Sequence, residues 1–255
     1  MGADDLWTAS PEGLERWSLV TGTPRQEAAF ASLGAARLPA SKRALMAASE
    51  TLVAWARQRR LVVLADAGIG WDIEAELELC DDAVELYAGR DEIWAVGERH
   101  VTHVARGESG LGLVATFELV LDEGETGDVF ARRLAPGACG GALAPEDVRS
   151  AAFSGRVLAL GADRRITTLD LGEPSRLPTI GSLELDHRLA EVGTDGRFVY
   201  AEVLGGAHWR SWRIGPATAF SPTGREPSRN FAHDRQHAGR HAARLTGVAL
   251  HLASW

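Results

Sequence analysis

A chain of 255 residues, 45% hydrophobic and 24% charged, carries enough apolar material for a sizeable core and lies away from the compositions that stay disordered. A formal net charge of -8 with no concentrated basic face excludes nucleic acid and anionic membrane as expected partners, because both need clustered cations to displace counterions or attract lipid. The opening MGADDLWTASPEG has no positive n-region or apolar h-region, and no uninterrupted apolar run reaches the ~18 residues of a membrane helix, so a soluble, cytoplasmic protein is expected.

In chain order, the sequence reads as short alternating segments separated by Gly, Asp and Pro turns, the period-2 signal of half-buried strands. The first unit, residues 6 to 33, holds LWTAS, GLERWSL and RQEAAFASL and has no obvious first strand. The second, 44 to 79, runs from ALMAAS through TLVAWAR and RLVVLA to DIEAELEL. The third spans AVELYA to LVATFELVL, 83 to 121; the fourth VRSAAFS to TIGSLEL, 148 to 185. The fifth opens with LAEVG, FVYAEV and HWRSWRI, then becomes irregular after residue 214. Its tail, ARLTGVALHLASW, is a strand in need of a partner, either the missing first strand of unit one or the last strand of unit five.

The units are copies. RLVVLADAGIGWDIEAELEL, from residue 60, aligns with RITTLDLGEPSRLPTIGSLEL, from 165, pairing Leu61 with Ile166 and Leu64 with Leu169, and with one gap both end in xLEL. HVTHVARGESGLGLVATFEL, 100 to 119, repeats the alternation, the Gly-Glu at the turn and the closing EL. A period of about 35 to 40 residues with four strands is a blade length, and radially repeated four-stranded sheets protect one another's faces. The expectation is therefore an all-β fold, a small β-propeller over residues 1 to 255, with five four-stranded blades. Two stretches break the period: 122 to 146, rich in Gly, Pro and Ala, and 216 to 244, where FAHDRQHAGRHAAR has the look of a short helix after a polar loop.

DDAVELYAGRDEIWAVG and RRITTLDLGEPSRLPTIGSLEL resemble the LVIVD-type propeller repeat of prokaryotic proteins. Asp170, Pro174 and Pro178 stand at that family's turn positions, whereas the third unit has Ala105 in place of Asp and lacks the turn prolines. The resemblance covers about residues 43 to 214. It implies a propeller and little chemistry, since such repeats occur in proteins of diverse function.

Candidate chemistry gathers in three places. Turns entering the inner strands would set Asp81, Asp82, Glu146, Asp147, Asp186 and His187 on one rim, with Glu85 and Glu191 at equivalent inner-strand positions. A carboxylate-lined channel of this kind would hold a divalent cation and polarise an ester or lactone. The plainer reading is that Asp in these turns accepts backbone N–H bonds. His233, His237 and His241, at i, i+4 and i+8, would line one face of a helix, where two could share a metal ion; the third lies about 12 Å along the axis. Trp209 and Trp212 in HWRSWR are three apart on a strand, so one faces inward and the other outward, where beside Arg210 and Arg213 it would anchor a protein or stack on a sugar. Packing between blades is the plainer role for them.

His100 and His103 have odd spacing on one strand and do not act together. No serine sits in a Gly-x-Ser-x-Gly elbow, and GACG lacks the context of a phosphate loop. Cys80 and Cys139 have no Cys-x-x-Cys neighbours and are expected as inert thiols. The leading reading is a non-enzymatic scaffold that needs no cofactor, whose rim and irregular loops meet another protein through residues such as Trp209, Arg210, Trp212, Arg213, Asp81, Asp82, Asp186 and His187. The alternatives are a metal-dependent hydrolase or lactonase built on Glu85, Glu191, Asp186 and His187, and a carbohydrate-binding propeller.

Overall fold

Strands Leu52–Arg57, Arg60–Asp66, Glu92–Gly97 and Val157–Gly161 are apolar almost without interruption, and nearly every residue in them is buried. A strand reads this way when both faces of its sheet are covered. Trp71–Glu78, by contrast, is buried only at Trp71 and half-buried or exposed at every later position, as an outer strand should be. The structure is a computed structural model; it describes residues 5–10, 13–18, 25–31, 44–66, 68, 70–121, 129–140, 147–204, 209–214, 220–223, 236–238, 241–246 and 249–254. Among these, every element is a strand or turn, and every reported strand pairing is antiparallel.

Six sheets form among the described residues, each joining strands in chain order. The first holds β1 (Asp5–Ser10), β2 (Gly13–Ser18) and β3 (Arg25–Ala31). The second holds β4 (Ala44–Ala48), β5 (Leu52–Arg57), β6 (Arg60–Asp66) and β7 (Trp71–Glu78). The third has five strands: β8 (Ala83–Ala88), β9 (Glu92–Gly97), β10 (His100–Gly107), β11 (Gly110–Leu121) and β12 (Val129–Arg133). The fourth comprises β13 (Ser150–Ser154), β14 (Val157–Gly161), β15 (Arg165–Asp170) and β16 (Thr179–Glu184). The fifth comprises β17 (Leu189–Thr194), β18 (Phe198–Val203), β19 (Trp209–Ile214) and β20 (Phe220–Pro222). The last holds β21 (Gln236–Ala238), β22 (His241–Thr246) and β23 (Ala249–Ser254).

The repeat read from sequence is present in the backbone. In the hairpin β6–β7 the register slips between Val63 and Leu64; in β15–β16 it slips between Thr168 and Leu169, the residues the alignment equates. Both hairpins turn at an Asp whose carboxylate takes an amide two residues on, Asp66 from Gly68 and Asp170 from Gly172. The closing EL has a structural task. Leu79, Leu119 and Leu185, all buried, donate their amides to the carbonyls of Arg59, Arg99 and Arg164 in the turn between the second and third strands. The residue before each Arg accepts from the chain entering the next sheet: Gln58 from Ala83, Glu98 from Val148 and Asp163 from Leu189. Each turn thus clamps the end of its own sheet and the start of the following one.

Five blades were expected; six sheets form among the described residues, and the chain tail makes the sixth. The tail serves neither as the first strand of the first sheet nor as the last strand of the fifth. It folds on itself as β21–β22–β23, while β20 completes the fifth sheet. Gly247 lies between ARLT and VALHLAS, so what reads as one strand is a hairpin. Residues 236–238 and 241–246 are likewise strands rather than the expected helix.

Contacts divide the chain into two units, 1–94 with 104–112 and 232–255, and 95–103 with 113–231. In the first, β1 packs against β4 and β4 against β8. Its core gathers Trp7, Leu14, Val53, Trp55, Val62, Leu64 and Trp71, with Trp7 and Trp71 edge to face at 5.0 Å. In the second, β13 and β14 pack against β17 over Ala159, Ile166, Leu185, Leu189, Val192, Val199, Ala201, Val203 and Trp212. Gly161 permits that approach: a Cβ there would lie 2.2 Å from Leu189 Cδ2.

Candidate functional site

Of the rim acids, Asp147 serves a sheet junction. Asp147 sits just before Val148 and takes Arg99 Nε at 2.8 Å, while Asp163 takes Arg188 Nε at 2.8 Å. These two ion pairs hold equivalent junctions with the charges exchanged. Asp81 and Asp82 are half-buried in the turn between β7 and β8. Glu85, half-buried on β8, accepts the Leu86 amide at 3.0 Å, and Glu191 lies on β17 opposite Glu202. Asp186 and His187 are exposed in the turn before β17, and Glu146 lies outside the described residues. Among the described residues, no three His, Cys, Asp or Glu side chains are placed to hold one metal ion.

The other expectations divide. Trp212 is the inward-facing tryptophan, buried in the core of the second unit, with Arg210 and Arg213 exposed on the same strand. The side chain of Trp209 lies outside the described residues. His237 and His241 fall on paired strands, where Ala242 stands opposite His237 and Ala238 opposite His241. The one-face helical array is therefore replaced by a hairpin; His233 lies outside the described residues. His100 and His103 are both buried on β10. Cys80 and Cys139 are disulfide-bonded rather than free thiols.

The largest departure from the repeat was legible only as an interruption. Part of the 122 to 146 insertion is β12, a fifth strand laid along β11 with Glu118 opposite Arg132 and Val120 opposite Phe130. At the repeat position of Glu118, the second and fourth sheets carry Glu78 and Glu184, both exposed. In the third sheet the carboxylate side chain is only 4% exposed. Burying a carboxylate without compensation is costly, and Arg132 supplies the opposite charge across the strand pair through Nη2 and Oε2. Gly140, at φ +53°, passes so close that a Cβ would lie 2.5 Å from Glu118 Oε1. Residues 134 to 140 thus fold back over the pair, with Leu134 donating its amide to Thr116 and Ala138 to Ala135.

Above this buried anchor, the sheet presents an apolar and basic border. Phe130 is 41% exposed, the Arg132 side chain 51%, and Arg133, also exposed, donates to the Val114 carbonyl at 3.2 Å. Leu113 and Val114 are exposed on the neighbouring stretch of β11. Exposed large apolar side chains beside arginines on an outer strand are features of a contact surface.

No family model matches the chain, and no curated protein matches its sequence. Solved structures do match. Hsv2 of Kluyveromyces lactis is similar at 12% identity with a TM-score of 0.50, covering 98% of this chain and 71% of that one. A functionally unknown protein from Desulfotomaculum acetoxidans DSM 771 is similar at 12% identity with a TM-score of 0.54, covering 86% and 64%. The Pan2 WD40 domain of Neurospora crassa matches at 11% identity with a TM-score of 0.44, over 72% of this chain and 49% of that one. No helix among the described residues is long and apolar enough to cross a membrane. At these identities the likeness speaks for the fold alone: this is an all-β chain with the β-propeller fold.

Proposed function

We propose that the chain is one propeller domain over residues 1 to 255, of LVIVD-like repeats, acting as a non-enzymatic module that binds another protein. The observation that carries this reading is β12. A repeat that ends with an exposed glutamate in the second and fourth sheets has, in the third, gained a strand, an ion pair to a buried carboxylate and a fold-back segment, and that sheet displays Phe130, Arg132 and Arg133 at its border. Departures from a structural period are where a repeat protein places specific contacts. The reading calls for no cofactor. Because Cys80 and Cys139 are disulfide-bonded, an oxidising compartment suits the chain better than the reducing cytoplasm expected from its sparse cysteines.

Affinity capture from the source organism, followed by gel filtration with mass detection, tests the proposal. A stoichiometric complex that is lost when Phe130 and Arg133 are both changed to Ala is the expected result. Recovery of no partner, together with turnover on a panel of esters and lactones, would reverse it in favour of a hydrolase.

A further inference from the structure

Resting on that interaction reading, we infer that the free edge of β12 binds an extended acidic segment of the partner by strand addition. The ladder itself shows which backbone groups are available. In an antiparallel pair, alternate residues bond to their partner while those between point their N–H and C=O the other way. Leu134 N–H bonds to Thr116 O, and continuing the register places Arg132 with Glu118 and Phe130 with Val120 in the bonded set. Val129, Ala131 and Arg133 therefore turn their backbone groups away from β11. Two contacts agree with this phase: Leu119, opposite Ala131, sends its amide the other way to Arg99 O, and the Val129 carbonyl accepts Thr179 Oγ1 from β16 at 2.8 Å. Thr179 closes the Val129 end. Ala131 and Arg133 have no backbone hydrogen bond to any residue beyond their own sheet among those described, and they form the open template.

Charge selects the occupant. Arg132 projects on one side of the strand and Arg133 on the other, so a strand laid alongside meets a guanidinium on each face. Arg133 has no carboxylate partner among the described residues. Opposite charges across adjacent strands stabilise the pairing, whereas like charges there destabilise it. A second copy of this edge would bring two more arginines against these two. An acidic strand brings their complement, with Phe130 offering apolar contact beside it, and strand addition then draws its affinity from backbone bonds and its selectivity from the side chains.

The probes are two labelled peptides, alternating Glu with Val and Lys with Val, titrated by fluorescence anisotropy against the full chain and two variants. Ala131→Pro removes an N–H that the β11 ladder does not use, a position where an edge strand tolerates proline. Arg133→Glu reverses the charge. The expected result is binding of the Glu peptide only, weakened about tenfold or more by either variant, with unchanged far-UV circular dichroism and urea midpoint. Equal binding of the Lys peptide, no binding of either, or an Ala131→Pro variant that binds like the parent overturns the proposal; so does self-association of the parent that Ala131→Pro abolishes, which identifies a second copy as the occupant. If the captured partner remains bound to Ala131→Pro, strand addition fails while the interaction reading stands.

Discussion

Glu78, Glu118 and Glu184 occupy one position of the repeat, and their surroundings decide what each does. Glu78 meets Arg59 at 3.2 Å in water, where such a pair contributes little. Glu118 meets Arg132 beneath a folded-back segment, where losing the partner strands a charge. Arg132 is itself half exposed, so water replaces part of what it provides. Arg132→Ala is therefore expected to cost about 1–3 kcal/mol, below the range for a fully enclosed pair. Glu118→Leu added to Arg132→Ala should recover a large part of that loss, because no unpaired carboxylate remains. Urea unfolding of the two singles and the double measures the coupling; simple additivity would mean that the pair is not a unit. Gly161 is a second position where one atom decides. An added methyl would collide with Leu189 across the β14–β17 contact, so Gly161→Ala should destabilise by about 1–3 kcal/mol, and by less in a Leu189→Ala background. Thermal unfolding reads both values, and an equal loss in the two backgrounds would contradict the contact.

Strands and hairpins carry the period. The apolar pattern and its turns located the strands from β1 to β11 and from β13 to β19, although β5, β6, β9 and β14 are buried along nearly their whole length rather than half-buried as alternation implied. The shared register slip at Leu64 and Leu169 and the Asp turns at 66 and 170 show that the copies agree in backbone as well as in apolar pattern. If the EL closure is the same device each time, Leu79→Ala, Leu119→Ala and Leu185→Ala should each cost about 2–5 kcal/mol and agree within about 1 kcal/mol. Chemical denaturation of the three variants compares them, and a far smaller loss at Leu119 would mark the third hairpin as a different structure. The insertion was harder to read. VFARR between Gly-rich and Pro-rich flanks is too short to announce a strand, and its pairing with β11 becomes visible only when Arg132 is seen opposite Glu118. The helix expected around His237 failed for a related reason: a four-residue spacing of histidines also arises when two short strands pair, as the stretches on either side of Gly239 and Arg240 do.

For the molecule as a whole, continuous apolar strands such as β5, β9 and β14 require sheets covered on both faces, which is the demand that propeller architecture meets. The propeller itself was legible from the internal repeat of four-strand units, and it agrees with the solved structures the chain resembles. The sheet count was not legible, since the tail shows apolar alternation whether it joins a neighbouring sheet or makes its own. The candidate site was less legible still. Trp212 was expected to face one way or the other and proved internal; of the rim acids, Asp147 ties a sheet junction. Strand identity, turn chemistry and the internal repeat were settled by residues a few positions apart, because backbone period and Asx turns are local properties. The sixth sheet, the fifth strand of the third sheet and the burial of Glu118 were settled by pairing across the chain, because the glutamate of an identical Glu-Leu is exposed or enclosed according to what folds against it.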